Sequence, residues 1–144
     1  MSPARELRIL LVDDDPGDVL LIQEAFASCA GGRVRLRVAS DGEQALAALR
    51  AAGGGLERPD IVLLDLNLPR KDGREVLAEA KSDPELRRVP ILVLTTSDSE
   101  QDVLNAYSLH ANAYLNKPLQ MEQLRSTARL IVEFWGGLVR LPSR

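Results

Sequence analysis

The stretch LRILLVDDDPGDVLLI, Leu7 to Ile22, decides the fold. LRILLV (Leu7 to Val12) is a short apolar run of the kind a buried strand presents. It stops at three consecutive acids, Asp13, Asp14 and Asp15. Asp15 before Pro16 reads as a helix N-cap with proline in the first turn. Val19, Ile22 and Phe26 then recur at helical spacing.

The same alternation of strand and helix continues outward. VRLRVAS from Val34 puts Arg33, Arg35 and Arg37 on one face and Val34, Leu36 and Val38 on the other. Such a strand belongs at a sheet edge, where charge blunts unwanted pairing. Ala45, Leu46 and Leu49 mark a second helix, introduced by Ser40 and Glu43 at capping-box spacing. DIVLLDL (Asp60 to Leu66) is a third strand, ILVLT (Ile91 to Thr95) a fourth and AYL (Ala113 to Leu115) a short fifth. Helices fall between them at Val76, Leu77 and Ala80, and at Val103, Ala106 and Tyr107. A last helix carries Leu124, Ala128, Ile131 and Trp135. Five strands alternating with five helices predict an α/β fold, a parallel sheet covered on both faces. The glycines at 31–32 and 53–55 fall in helix-to-strand loops, at the end of the sheet away from the strands' carboxyl ends.

Composition excludes several classes of function. The 144 residues fit one domain, 45% hydrophobic and 27% charged, as in globular proteins. Eighteen basic against 21 acidic residues give a net charge of −3, which offers no basic field for nucleic acid or anionic lipid. The lone cysteine, Cys29, allows no intramolecular disulfide and fits a reducing compartment. The apolar runs are far shorter than the roughly 20 residues of a membrane span. MSPARELR lacks the apolar stretch of a signal peptide. The expectation is a cytoplasmic protein with neither a nucleic-acid nor a membrane partner.

In a doubly wound sheet, ligands bind beyond the carboxyl ends of the strands, where the strand order reverses. Strand one ends in Asp13 and Asp14, strand three in Asp65, strand four in Thr95 and Thr96, and strand five runs into Asn116-Lys117-Pro118. Crowded carboxylates repel one another. A divalent cation relieves that, and all-oxygen ligands favour magnesium completed by a substrate phosphate. A lysine supplies a point charge for a phosphoryl oxygen and a threonine a hydroxyl. Taken together these residues read as a phosphoryl-transfer site without a nucleotide cradle.

The chain resembles a bacterial response-regulator receiver domain. ILLVDDDPGDVLLI, ASDGEQALAAL, PDIVLLDLNLPRKDG, VPILVLTTS and ANAYLNKP carry the likeness, in family order and spacing, from Leu7 to about Phe134. The resemblance implies a flavodoxin-like, doubly wound five-stranded parallel sheet of order 2-1-3-4-5 with five helices. It implies a receiver domain over residues 5–134 and a C-terminal tail over 135–144.

Asp65 then corresponds to the phospho-acceptor and Lys117 to the family's lysine. Thr95 is the switch hydroxyl and Tyr114 the switch aromatic. Magnesium would be held by Asp13, Asp14 and Asp65 with the backbone carbonyl of Asn67. Asp14 is implied as the more direct ligand, and Asp13 as one acting through water. Lys117–Pro118 would be a cis bond, and Asn67 and Ser97 would flank the route of hydrolytic water. His110 stands where the family has glycine after the fourth helix, a position of positive φ that histidine tolerates. Thr96 replaces a smaller residue and narrows access to the phosphate.

The implied activity is that of a stand-alone signalling protein, not an enzyme with a small substrate. It takes a phosphoryl group on Asp65 from a sensor histidine kinase and repacks the face of its fourth helix, fifth strand and fifth helix. LTTS, NAYL and the ending EFWGGLVRLPSR are similar to receivers that serve phytochrome-type kinases and pair as homodimers through the last strand and helix. Phe134 and Trp135 either both seal the last helix, or one seals it while the other meets a partner.

The rival from another class is a phosphorylation-independent receiver-like scaffold, against which the intact Asp13, Asp14, Asp65, Thr95 and Lys117 argue. A flavin-mononucleotide binder would need a hydroxyl-rich cradle where this chain has DDDPGD. A dehalogenase-type phosphatase would need an Asp-x-Asp pair where it has Asp65-Leu66-Asn67.

Overall fold

A computed structural model describes residues 6–30, 33–51 and 58–142. Strands β1 (Leu7–Val12), β2 (Val34–Ala39), β3 (Ile61–Leu64), β4 (Ile91–Thr95) and β5 (Ala113–Asn116) alternate with five helices. These are α1 (Pro16–Ala30), α2 (Gly42–Ala51), α3 (Gly73–Ser82), α4 (Glu100–Ser108) and α5 (Met121–Glu133). All pairings are parallel, in the order β2-β1-β3-β4-β5, which is the expected topology. The glycines at 31–32 and 53–55, the Cys29 side chain, and residues 5 and 143–144 of the expected domain and tail lie outside the described residues.

The burial pattern follows the strand chemistry. IVLL of β3 is wholly buried and occupies the sheet centre, while the arginine-faced β2 is an edge. Alternate residues feed two core layers. Leu10, Val12, Val62, Leu64 and Val93 pack with Leu46, Leu49, Val76 and Leu77 of α2 and α3. Ile9, Leu11, Ile61, Leu63 and Leu92 pack with Ile22, Phe26, Leu124 and Ile131 of α1 and α5. Each fully buried aliphatic side chain contributes roughly 1.5–3 kcal/mol.

Past α5 a π-helical turn spans Phe134–Leu138. There Trp135, and further on Leu141, pack against the second layer. Phe134 meets Trp135 edge-on, with ring centroids 5.3 Å apart, and is 48% exposed. Among the described residues no helix is long and apolar enough to cross a membrane.

Two local expectations are corrected. The cap of α2 sits one residue later than Ser40: the Asp41 carboxylate accepts from the Gln44 N–H at 2.8 Å, and Gln44 reaches back to the Ser40 N–H. An aspartate accepts from an N3 amide at least as well as a serine does, so it takes the cap. The Lys117–Pro118 peptide is trans, since no described peptide bond is cis. Trans is the lower-energy form even before proline, by about 0.5–1 kcal/mol, and Lys117 is held in place by its N–H donating to the Thr95 carbonyl at 2.7 Å. His110 does adopt positive φ, 72°, just past α4.

Candidate functional site

Topology places the site. From β1 the chain crosses to β2 on one side and returns to β3 on the other, so the carboxyl ends of β1 and β3 flank a crevice. Asp13 follows β1 and Asp65 follows β3, the Asp65 N–H bonding the Val12 carbonyl at 3.0 Å. The start of α3 lies directly over this end of β3. The Gly73 N–H donates to the Leu66 carbonyl at 2.9 Å, and a Cβ on Gly73 would fall on the Asp65 carbonyl oxygen. Only glycine lets the helix approach so closely.

Lys117, at the end of β5, reaches into the crevice. Its Nζ donates to Asp13 Oδ2 at 2.8 Å, Asp18 Oδ2 at 3.1 Å and Asp65 Oδ2 at 3.2 Å. The lysine side chain is 6% exposed and those of Asp13 and Asp65 are 1% and 12%. Burial pushes the Asp13 carboxyl up, against the opposing pull of Lys117 and of the Asp15 N–H at 3.0 Å. Burial alone would lower Lys117. The hydrogen bond to Asp13 and the charges of Asp65 and Asp13 outweigh it and hold the ammonium above its usual range.

The other Asp65 oxygen, Oδ1, accepts from Thr95 Oγ1 and from the Asn67 N–H, each at 3.2 Å. Thr95 is completely buried and already engaged with Asp65. Tyr114 is half-buried, its hydroxyl donating to the Ser97 carbonyl at 2.9 Å. Asp14 is exposed at the mouth. One carboxylate oxygen each from Asp13, Asp14 and Asp65 lie within 4.8 Å of one another. That all-oxygen set fits a hard divalent cation.

Two features were not legible from spacing. Asp18, in the first turn of α1, is not singled out by the sequence reading, and only the fold aims it at Lys117. The second is a network behind Ser97. Its hydroxyl donates to Asp102 Oδ2, whose Oδ1 accepts from Arg74 Nη2 at 2.9 Å, and Asn116 Nδ2 joins Tyr114 on the Ser97 carbonyl at 3.2 Å. Arg74 also pairs with Asp72, the N-cap of α3.

The response regulator receiver domain model matches residues 9–129 of this chain. The response regulator Rcp1 of Synechocystis is 44% identical over 94% of this chain and 92% of its own length. The probable methanogenesis regulatory protein FilR2 of Methanothrix harundinacea is 47% identical over 93% of this chain and 86% of its own length. Among solved structures, the phosphorylated cyanobacterial phytochrome response regulator RcpA superposes with a TM-score of 0.87 at 46% identity, covering 96% of this chain and 99% of that one. The Mn(2+)-bound form of Rcp1 superposes at 0.83 with 43% identity, covering 98% of this chain and all of that one.

Proposed function

Because the chain belongs to the response-regulator receiver family, we propose that it is a cytoplasmic phosphoryl-accepting switch phosphorylated on Asp65. The observation that carries this reading is the pair of opposed contacts on one carboxylate. Lys117 Nζ sits on Asp65 Oδ2 and Thr95 Oγ1 on Oδ1, in a crevice that also holds two more acids. Asp65 is the nucleophile. One of its oxygens attacks the phosphorus of a histidine-kinase phosphohistidine, the P–N bond breaks, and the electron pair returns to the imidazole.

Lys117 neutralises one phosphoryl oxygen, and the Thr95 hydroxyl and the Asn67 N–H are within reach of another. Rate enhancement of this kind rests on positioning and charge stabilisation. Asp13, Asp14 and Asp65, with the Asn67 carbonyl, would hold magnesium. Bound there, it supplies positive charge to the transferring phosphoryl group. In the phosphorylated protein Thr95 and Tyr114 act as the switch pair, and the output is a changed α4–β5–α5 surface rather than a turned-over substrate.

Residues 5–134 form the receiver unit in this reading, and 135–144 contribute a partner surface. A second copy pairs through β5 and α5. Leu130 (65% exposed), Phe134 and Leu138 (77%) supply its apolar contact. A phytochrome-type sensor kinase is the proposed donor, on the strength of the likeness to RcpA.

The test is intact mass after incubation with magnesium and acetyl phosphate, and with a phosphorylated histidine kinase, beside Asp65→Asn. A labile gain of one phosphate, about 80 Da, in the wild type alone is expected. No gain from either donor would replace this reading with that of a phosphorylation-independent scaffold.

A further inference from the structure

We propose a second binding site, for a small organic oxyanion (a phosphate or carboxylate with an apolar body), in a cavity toward the amino ends of β1 and β2. The cavity holds about 230 Å3, and its lining includes Arg8, Leu10, Arg35, Arg37, Ala48 and Pro59. Arg8 stands opposite Arg35 and Leu10 opposite Arg37 across the parallel pair. The pleat therefore turns all three arginines and Leu10 to the same face, the one α2 covers. Arg8 lies five residues before Asp13 on an extended chain, about 16 Å away, so the cavity is separate from the crevice at Asp65.

Arg8 gives the cavity its chemistry. Its Nε and Nη1 are shut away from solvent without any hydrogen-bond partner among the described residues. A guanidinium stays charged at any working pH, and its donors, once buried, are costly to leave unpaired. Neighbouring acids are engaged elsewhere: Asp60 accepts from the main-chain N–H of Arg8 at 2.9 Å, and Glu6 Oε1 lies 3.3 Å from Arg35 Nε. An oxyanion in the cavity would draw the Arg8 guanidinium round to meet it, exchanging the unpaired position of Nε and Nη1 for charge-assisted hydrogen bonds. Leu10, Ala48 and Pro59 would cover the apolar part of the ligand. Bare inorganic phosphate would leave that wall unused and should bind less well.

The experiment is an NMR titration of the full-length, metal-free protein, following the Arg Nε–Hε signals and the backbone amides. The probes are adenosine 5′-monophosphate, benzoate and inorganic phosphate. Saturable shifts centred on Arg8, Arg35 and the first residues of β1 are expected, larger with the two organic anions than with inorganic phosphate. A response to only one organic anion supports the site and narrows its ligand class. Arg8→Met should keep the wild-type spectrum and unfolding midpoint while weakening binding by about tenfold or more. Arg35→Gln, at a largely exposed side chain, carries the same comparison if Arg8→Met fails to fold. The proposal is overturned by an absence of saturable shifts at millimolar anion. It is equally overturned by shifts that survive these substitutions, or by shifts centred on Asp65 and Lys117.

Discussion

Ser97 Oγ donates to Asp102 Oδ2 at 2.6 Å, and through that carboxylate the loop after β4 is tied to Arg74 of α3. The same Ser97 offers its carbonyl to Tyr114 and Asn116 of β5. One loop residue two positions beyond Thr95 thus joins α3, α4 and β5. The Ser97 hydroxyl first, and Arg74 second, hold the Asp102 carboxyl below the ordinary carboxylate range.

A carboxyl with a lowered folded-state pKa stabilises the fold above its unfolded value, and that contribution fades as pH falls through the folded value. In a carboxyl NMR titration Asp102 should have its midpoint below 3.8, and Ser97→Ala should move it upward. Asp102→Asn should slow phosphorylation by acetyl phosphate several-fold while leaving the Asp65 site chemically intact. A midpoint at the ordinary aspartate value would show that the network does not persist in solution.

Lys117 is the only described cation within hydrogen-bonding distance of Asp65. Lys117→Met would leave Asp13 buried beside a second carboxylate without compensation, a loss of about 3 kcal/mol at neutral pH. Thermal unfolding in a chelator should show the loss. Added magnesium should recover more stability in Lys117→Met than in the wild type, because the crowded acids then have no other counter-charge. Phosphorylation by acetyl phosphate should fall by two orders of magnitude or more, on the order of what losing a charge stabiliser at the reacting oxygen costs.

How much of this was open to reading along the chain depends on what kind of interaction fixed each feature. The central strand declared itself because a segment buried on both faces has no polar position, as in Ile61–Leu64. The edge declared itself through Arg33, Arg35 and Arg37. Asp13, Asp65, Thr95 and Lys117 were visible because strand ends in this topology converge, and a strand end can be read from where the apolar run stops. Asp18 and the Arg74–Asp102–Ser97 network were not. Their meaning depends on which way a helix is rotated and on contacts 28 and 99 residues apart in the chain, which no local pattern encodes. The choice of Asp41 over Ser40 as the α2 cap and the trans bond before Pro118 are local, but a one-residue offset and an isomer leave almost no trace in periodicity.

Gly73 provides a test of how tightly α3 fixes the proposed acceptor, Asp65. Gly73→Ala would drive a methyl into the backbone of Asp65 and Leu66, and something must shift. Overpacking of this kind costs about 1–3 kcal/mol. The displaced atoms belong to the proposed acceptor itself, so phosphorylation should slow by more than the stability loss explains. Comparing the unfolding midpoint with the acetyl-phosphate rate separates the two effects. A rate unchanged in a destabilised variant would mean that α3 recoils instead of Asp65.

The α5 end offers a surface that can be switched off without touching the crevice. Leu130 and Leu138 are 65% and 77% exposed, and Phe134 between them is half-exposed, whereas its neighbour Trp135 packs inward on the second core layer. Replacing Leu130 or Leu138 with Asp removes little core and should leave the folded monomer within about 0.5 kcal/mol of wild type. If β5 and α5 form a dimer seam, either change places an unpaired charge in an apolar contact and should weaken self-association by at least about tenfold. Analytical ultracentrifugation with and without acetyl phosphate reads this directly, and Asp65→Asn reports whether pairing depends on the phosphoryl group. Sedimentation of the wild type as a monomer under both conditions would instead leave this face to a different protein partner.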